Sequence, residues 1–159
     1  MKTLRFFNKT FLFATALASA IFITSCEKDS VDDDDDTFTV SGNASGSQEV
    51  PAVATSGSAT LIGTYNSDNN RLDYSINWSG LSGAATVAHF HGPAVAGVSA
   101  GPLIDLIITV NGVSGTAAGS ATLSSDQESY LLAGTLYYNI HTAAHVDGEI
   151  RGQVTATPN

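Results

Sequence analysis

All four histidines of the 159-residue chain fall in two short stretches, Ala88-His89-Phe90-His91-Gly92-Pro93 and Asn139-Ile140-His141-Thr142-Ala143-Ala144-His145. Two residues apart on a strand, His89 and His91 point both imidazoles to one face, about 7 Å apart at the backbone. Such a pair can grip one metal ion from neighbouring positions. His141, at a strand end, supplies a third nitrogen if its strand lies beside the first, and His145 in the following turn a fourth. Neutral imidazoles suit copper, zinc or nickel, and three of them leave a coordination position open. Glu149, Asp147 or Asp105 could add a carboxylate oxygen. The same residues also have a purely structural use. His89 and His91 can hydrogen-bond loop backbone near Gly92-Pro93, and His141 can cap the turn that launches the last strand.

Downstream, Gly148-Glu149-Ile150-Arg151-Gly152-Gln153 alternates, so Glu149, Arg151 and Gln153 share one face while Ile150 and Val154 take the other. An ion pair between Glu149 and Arg151, or a clamp on the turn from Thr142 to Val146, is the expected arrangement. A planar guanidinium can hold loop carbonyls and a carboxylate at once, and the alternative use is to anchor an anionic ligand. Upstream, Glu49-Val50-Pro51 reads as the end of an edge strand, because Pro51 lacks the donor that a central ladder needs. The four histidines have no evident serine partner at a sharp turn, and no glycine loop of the phosphate-cradling kind precedes a helix. The expectation is therefore a binding or structural module and not an enzyme, with a metal-binding or metal-dependent redox protein as the alternative.

Strands must position these groups. In Arg71-Leu72-Asp73-Tyr74-Ser75-Ile76-Asn77-Trp78, the apolar Leu72, Tyr74, Ile76 and Trp78 alternate with polar residues, the mark of a strand with one buried face. Further strands are predicted over 38–43, 57–65, 85–91, 103–110, 117–123, 134–141 and 149–156, divided by turn sequences such as Asn111-Gly112 and Asp147-Gly148. This makes an all-β domain, a Greek-key β-sandwich or barrel of about eight strands. One short helical turn is predicted where Ser125-Asp126-Gln127-Glu128 matches a capping box ahead of Tyr130-Leu131-Leu132.

The remaining sequence speaks to location. A formal net charge of −9, with few cations after residue 25, leaves nothing to neutralise phosphates, so nucleic acid is not an expected partner. Basic residues Lys2, Arg5 and Lys9, then an apolar run from Phe11 to Ile23 and the small pair Thr24-Ser25, form a signal-peptide layout over 1–25. Ile23-Thr24-Ser25-Cys26 resembles a bacterial lipobox, in which the single cysteine, Cys26, is lipidated and becomes the new N-terminus. Residues 26–37 include five consecutive aspartates, Asp32 to Asp36, and read as an acidic, solvated tether. The tether resembles those of surface-exposed lipoproteins. The resemblance implies a lipid-anchored protein of the cell envelope, held at the outer membrane, with the acidic run serving either as a plain spacer or to carry the domain to the outer surface.

Three segments taken together, Gly46-Ser47-Gln48-Glu49-Val50-Pro51, the His89 to Ala94 stretch and the His141-Thr142 turn leading into Gly148-Glu149-Ile150-Arg151-Gly152, closely resemble the CHRD domain. That domain repeats in chordin and occurs singly in many bacterial secreted proteins. The resemblance spans about residues 38–157 and implies a β-rich extracellular module in which Glu49, Pro51, Glu149 and Arg151 belong to the structural motif. It brings no established catalysis, and it implies a protein partner at the cell surface, met through an exposed sheet edge. The His89-Phe90-His91 spacing is also similar to that of Cu/Zn superoxide dismutase, but that family's further metal-loop histidines and its disulfide have no counterpart here.

Overall fold

The computed structural model of the chain describes residues 37–159, so Cys26, the 1–25 signal segment and all of the tether before Thr37 lie outside the described residues. Ten strands run in the order β1 (Thr37–Ser45), β2 (Ser58–Asn66), β3 (Arg71–Ser79), β4 (Ala85–His91), β5 (Pro102–Asp105), β6 (Ile108–Val110), β7 (Gly115–Thr122), β8 (Tyr137–Thr142), β9 (His145–Gln153) and β10 (Thr155–Pro158). A 3-10 turn (Gly46–Gln48) follows β1, and the helix α1 (Ser125–Leu132) precedes β8. All pairings are antiparallel, in one curled sheet of order β5-β4-β8-β9-β1-β2-β3-β7-β6, with β10 also against β1. The all-β expectation holds.

Ten strands replace the expected eight because two of those eight are each interrupted. The 103–110 strand changes partner midway. Its first part, β5, pairs with β4 and its second, β6, with β7, and the handover is made by Leu106 N–H to the Ala88 carbonyl and Ala118 N–H to the Ile107 carbonyl. One segment thus stitches together the two ends of the sheet. In the last strand, Val154 turns its N–H to the Leu136 carbonyl, yet β9 and β10 keep a single register against β1, from Phe38 opposite Pro158 to Ser45 opposite Arg151.

Alternation in β3 does what its sequence requires. Leu72, Tyr74, Ile76 and Trp78 are all buried, and with Leu61, Tyr65, Phe90, Tyr138, Ile140 and Ile150 they form the core inside the curl. The helix begins one residue earlier than its sequence suggests. Ser124 is the N-cap, its hydroxyl accepting from Gln127 N–H while the Gln127 side chain accepts from Ser124 N–H, so Gln127 and not Glu128 closes the capping box. Among the described residues no helix is long and apolar enough to cross a membrane.

The outer face of β4, β8 and β9 decides the rest. Every residue of β8 is buried, although only Tyr138 and Ile140 belong to the core. Strand alternation sends Tyr137, Asn139 and His141 to the opposite face, together with His89 and His91 from β4 and Glu149 and Arg151 from β9. That face is roofed by the chain between β1 and β2 and by the chain between β4 and β5. Thr55 bonds Glu149 from the first, while Ala94, Val95 and Ala100 accept from Gln153, Arg151 and Tyr137 in the second. The fold therefore has an apolar layer inside and a polar layer beneath its loops. Edge strand is the wrong description of the chain at Glu49-Val50-Pro51. These residues follow the 3-10 turn and form part of the roof, while β1 lies centrally between β2 and the β9–β10 strand.

Candidate functional site

Strand pairing of β4 with β8 sets His91 opposite Tyr137, His89 opposite Asn139 and Val87 opposite His141, with an irregularity between Ala85 and Val87. The three rings converge, with centroids 5.4 Å apart for His89 and His91, 5.1 Å for His89 and His141 and 6.0 Å for His91 and His141. One nitrogen from each lies within 4.8 Å of the others. His145 opens β9 opposite Thr142 and does not join them.

What the other ring nitrogens do fixes the tautomers. A carbonyl only accepts, so His91 Nδ1–H donates to Ala100 O at 3.0 Å and His141 Nδ1–H donates to Val146 O at 2.9 Å. Both Nε2 atoms then carry lone pairs. His141 Nε2 lies 3.2 Å from His89 Nδ1, and the far nitrogen of that ring, His89 Nε2, lies 3.5 Å from Asp105 Oδ1. His91 Nε2 is buried and has no hydrogen-bond partner, an unmet acceptor inside the cluster. Burial lowers the proton affinity of His91 and His141, with Arg151 adding to the effect at His91, and it outweighs the Ala100 and Val146 carbonyls and, at His141, Asp147, which favour the charged rings. Both are held as neutral imidazoles, the form that ligates metal.

Stacking extends the cluster sideways. His91 lies flat on Tyr137, with centroids 4.9 Å apart at 14°, and the Arg151 guanidinium sits 3.5 Å from the centroid of the same tyrosine ring. Arg151 is 2 % exposed and donates to the Val95 carbonyl at 3.3 Å. The expected ion pair with Glu149 does not form. Period-two alternation puts both on one face, but Glu149 is taken by other donors and Arg151 by Tyr137.

Glu149, fully buried, accepts four hydrogen bonds. Thr55 Oγ1 and Ser82 N–H reach Oε1 at 2.6 and 2.7 Å, and the Ser82 and Thr142 hydroxyls reach Oε2 at 2.6 and 2.7 Å. Burial alone would raise its pKa. The hydrogen bonds from Ser82, Thr55 and Thr142 overcome that and bring it down to about 2. Thr142 opens the turn into β9, so the clamp on that turn exists and its jaw is a carboxylate. Thr55 and Ser82 carry no sequence signal that would have singled them out.

Glu49 behaves in the opposite way. It is 8 % exposed, accepts from Asn139 Nδ2 at 3.2 Å, and leaves Oε1 buried without a partner. Burial pushes its pKa up to about 7 despite the nearby charge of Arg151 and the Asn139 bond. Gly148, at φ +126°, is packed so closely on Asn139 that a Cβ there would sit 2.3 Å from the amide nitrogen and oxygen. Only glycine serves at this bend. Pro51 is exposed in the roof beside Glu49, and Asn139 and Tyr137 are members of the polar layer that sequence reading missed. They alternate with Tyr138 and Ile140 in what looks, as a string, like a plain core strand.

Among known families, the model described as the CHRD domain matches residues 40–154, most of the chain. No curated protein and no solved structure matches it.

Proposed function

The chain belongs to the CHRD family, a class of binding or structural modules, and from that premise we propose a lipid-anchored envelope protein whose domain binds one transition-metal ion through His89, His91 and His141. One observation carries the metal reading. His91 Nε2 is a buried lone pair without a donor, beside two further imidazoles, of which His141 is oriented by the Val146 carbonyl and His89 has Asp105 3.5 Å from its outer nitrogen. Oriented imidazoles backed by carbonyls and a carboxylate are the outer-shell arrangement of metal-ligating histidines. Tetrahedral zinc, with Zn–N of about 2.0–2.1 Å, sets its nitrogens about 3.4 Å apart. The 3.2 Å between His89 Nδ1 and His141 Nε2 is already close to that spacing. Loading requires His89 to switch tautomer, its single proton moving from Nδ1 to Nε2, where the N–H would point at the Asp105 carboxylate. Three nitrogens and no sulfur favour zinc or copper(II). Binding, not turnover, is the proposed role, with the ion bracing β4 against β8 in a module that meets a protein partner at the cell surface.

Protein purified without an affinity tag is expected to carry close to one zinc or copper per chain by mass spectrometry of the metals. The His89→Ala/His91→Ala double variant is expected to carry less than a tenth of that. A metal-free wild type that also fails to take up added zinc or copper sinks the reading. The anchor rests on the basic start, apolar run and Ser25-Cys26 junction. A radiolabelled fatty acid is expected to mark the wild type in the outer membrane and to spare Cys26→Ala, and equal labelling of the two defeats it.

A further inference from the structure

A second polar side chain in the layer under the loops has an oxygen left without a partner, and it is Glu49, which is not one of the three clustered histidines. Beside Glu49 the roof and the β8–β9 turn enclose a hollow of about 220 Å³, lined by Glu49, Val50, Pro51 and Val53 on one side and by residues 144–148 on the other. That is smaller than sites for drug-sized molecules and of a size for one side chain. Val50, Pro51, Val53, Ala144 and Val146 supply the apolar part of its walls, and Glu49, Asp147 and His145 are its ionisable groups. Val146 and Val50 remain 73 % and 41 % exposed at the rim, uncovered by any described part of the chain.

Two buried acceptors lack donors, Glu49 Oε1 and the Oδ1 of its neighbour Asn139, and of the two residues Glu49 lines the hollow. Each unmet acceptor costs about 1–3 kcal/mol when buried. Among the described residues no cation is free to meet them. Arg151, the nearest cation, is spent on Tyr137 and Val95, and the other arginine of the described residues, Arg71, is chelated by Asp73 at 2.7 Å on the surface. A carboxylate stripped of water wants a hydrogen-bonding cation, and apolar walls above it want methylenes.

We propose that this hollow binds a primary alkylammonium group, its charge against Glu49 and its aliphatic stem between Val53 and Val146. The long-range field agrees, since the chain's net charge of −9 draws cations toward it. A lysine side chain presented by a partner protein and a free diamine share this chemistry.

The test is calorimetric titration of the full chain in detergent at pH 8, where Glu49 is ionised, with N-acetyl-lysine methylamide, butane-1,4-diamine and the uncharged N-acetyl-norleucine methylamide. At least one of the two amines is expected to bind saturably, and the norleucine compound is expected not to bind. Tighter lysine analogue assigns a protein side chain, and tighter diamine assigns a free amine. Glu49→Gln is expected to weaken the amine at least tenfold. Because the ionised carboxylate is a burden on the fold, Glu49→Gln should melt no lower than wild type at this pH, which separates lost binding from lost structure. Amine binding that Glu49→Gln leaves unchanged, norleucine binding as tight as lysine, or no saturable heat from either amine overturns the proposal.

Discussion

Glu149→Leu is expected to lower the unfolding free energy by about 4 kcal/mol at pH 7, the range for a buried charged acceptor whose donors are left behind. Leucine fits the space but strands four donors: the Thr55, Ser82 and Thr142 hydroxyls and the Ser82 N–H. Glu149→Gln is expected to cost about half as much. Its amide NH₂ can occupy the Oε2 position, where both neighbours are hydroxyls that can turn and accept. Oε1 must stay an oxygen, because it receives a backbone N–H that cannot turn. The sign of the pH dependence follows from the lowered pKa. The carboxylate's contribution is complete above its ordinary value near 4.5 and is lost as pH falls through about 2. Wild type and Glu149→Gln should therefore differ most at neutral pH and converge between pH 4.5 and 2, as protonation makes the acid resemble the amide. Urea denaturation across that range checks it, and a gap that stays constant down to pH 2 refutes the assignment.

The second large effect is on thermal stability. If the histidine cluster holds an ion only when β4 and β8 are paired, then free zinc or copper at about 1,000 times Kd adds about 4 kcal/mol to the folded state. For a domain of this size that corresponds to a rise in Tm of roughly 10–20 °C. His91→Ala and His141→Ala should each abolish the rise and each also lower the apo melting point, because their Nδ1–H groups hold the Ala100 and Val146 carbonyls and the His91 ring packs on Tyr137. Differential scanning calorimetry with and without chelator measures all of these. A chelator-insensitive Tm in wild type ends the metal interpretation.

Period-two patterning made the core face of β3 legible residue by residue, because each apolar side chain there is buried against other strands whatever their order. The polar layer was legible only as a set of residue types. His89 and His91 are placed together by local spacing, but His141 reaches them only through the pairing of β4 with β8, a contact between segments some fifty residues apart with no local signature. The failed ion pair has the same origin. Alternation puts Glu149 and Arg151 on one face, and what each side chain then bonds depends on which loops fold over it. Thr55 and Ser82 are ordinary loop residues in the string of sequence. They matter because the roof brings them to a buried carboxylate.

The handover at Leu106-Ile107 bears on how such domains live side by side. Because one segment serves both ends of the sheet, its terminal strands are only four and three residues long, and the first opens with Pro102, which has no N–H to offer a stranger. Copies tethered to one membrane are crowded into two dimensions, where a long bare flank would template strand-by-strand stacking of neighbour upon neighbour. In the proposed lipid-anchored form, such growth would find only these short terminal strands to start from.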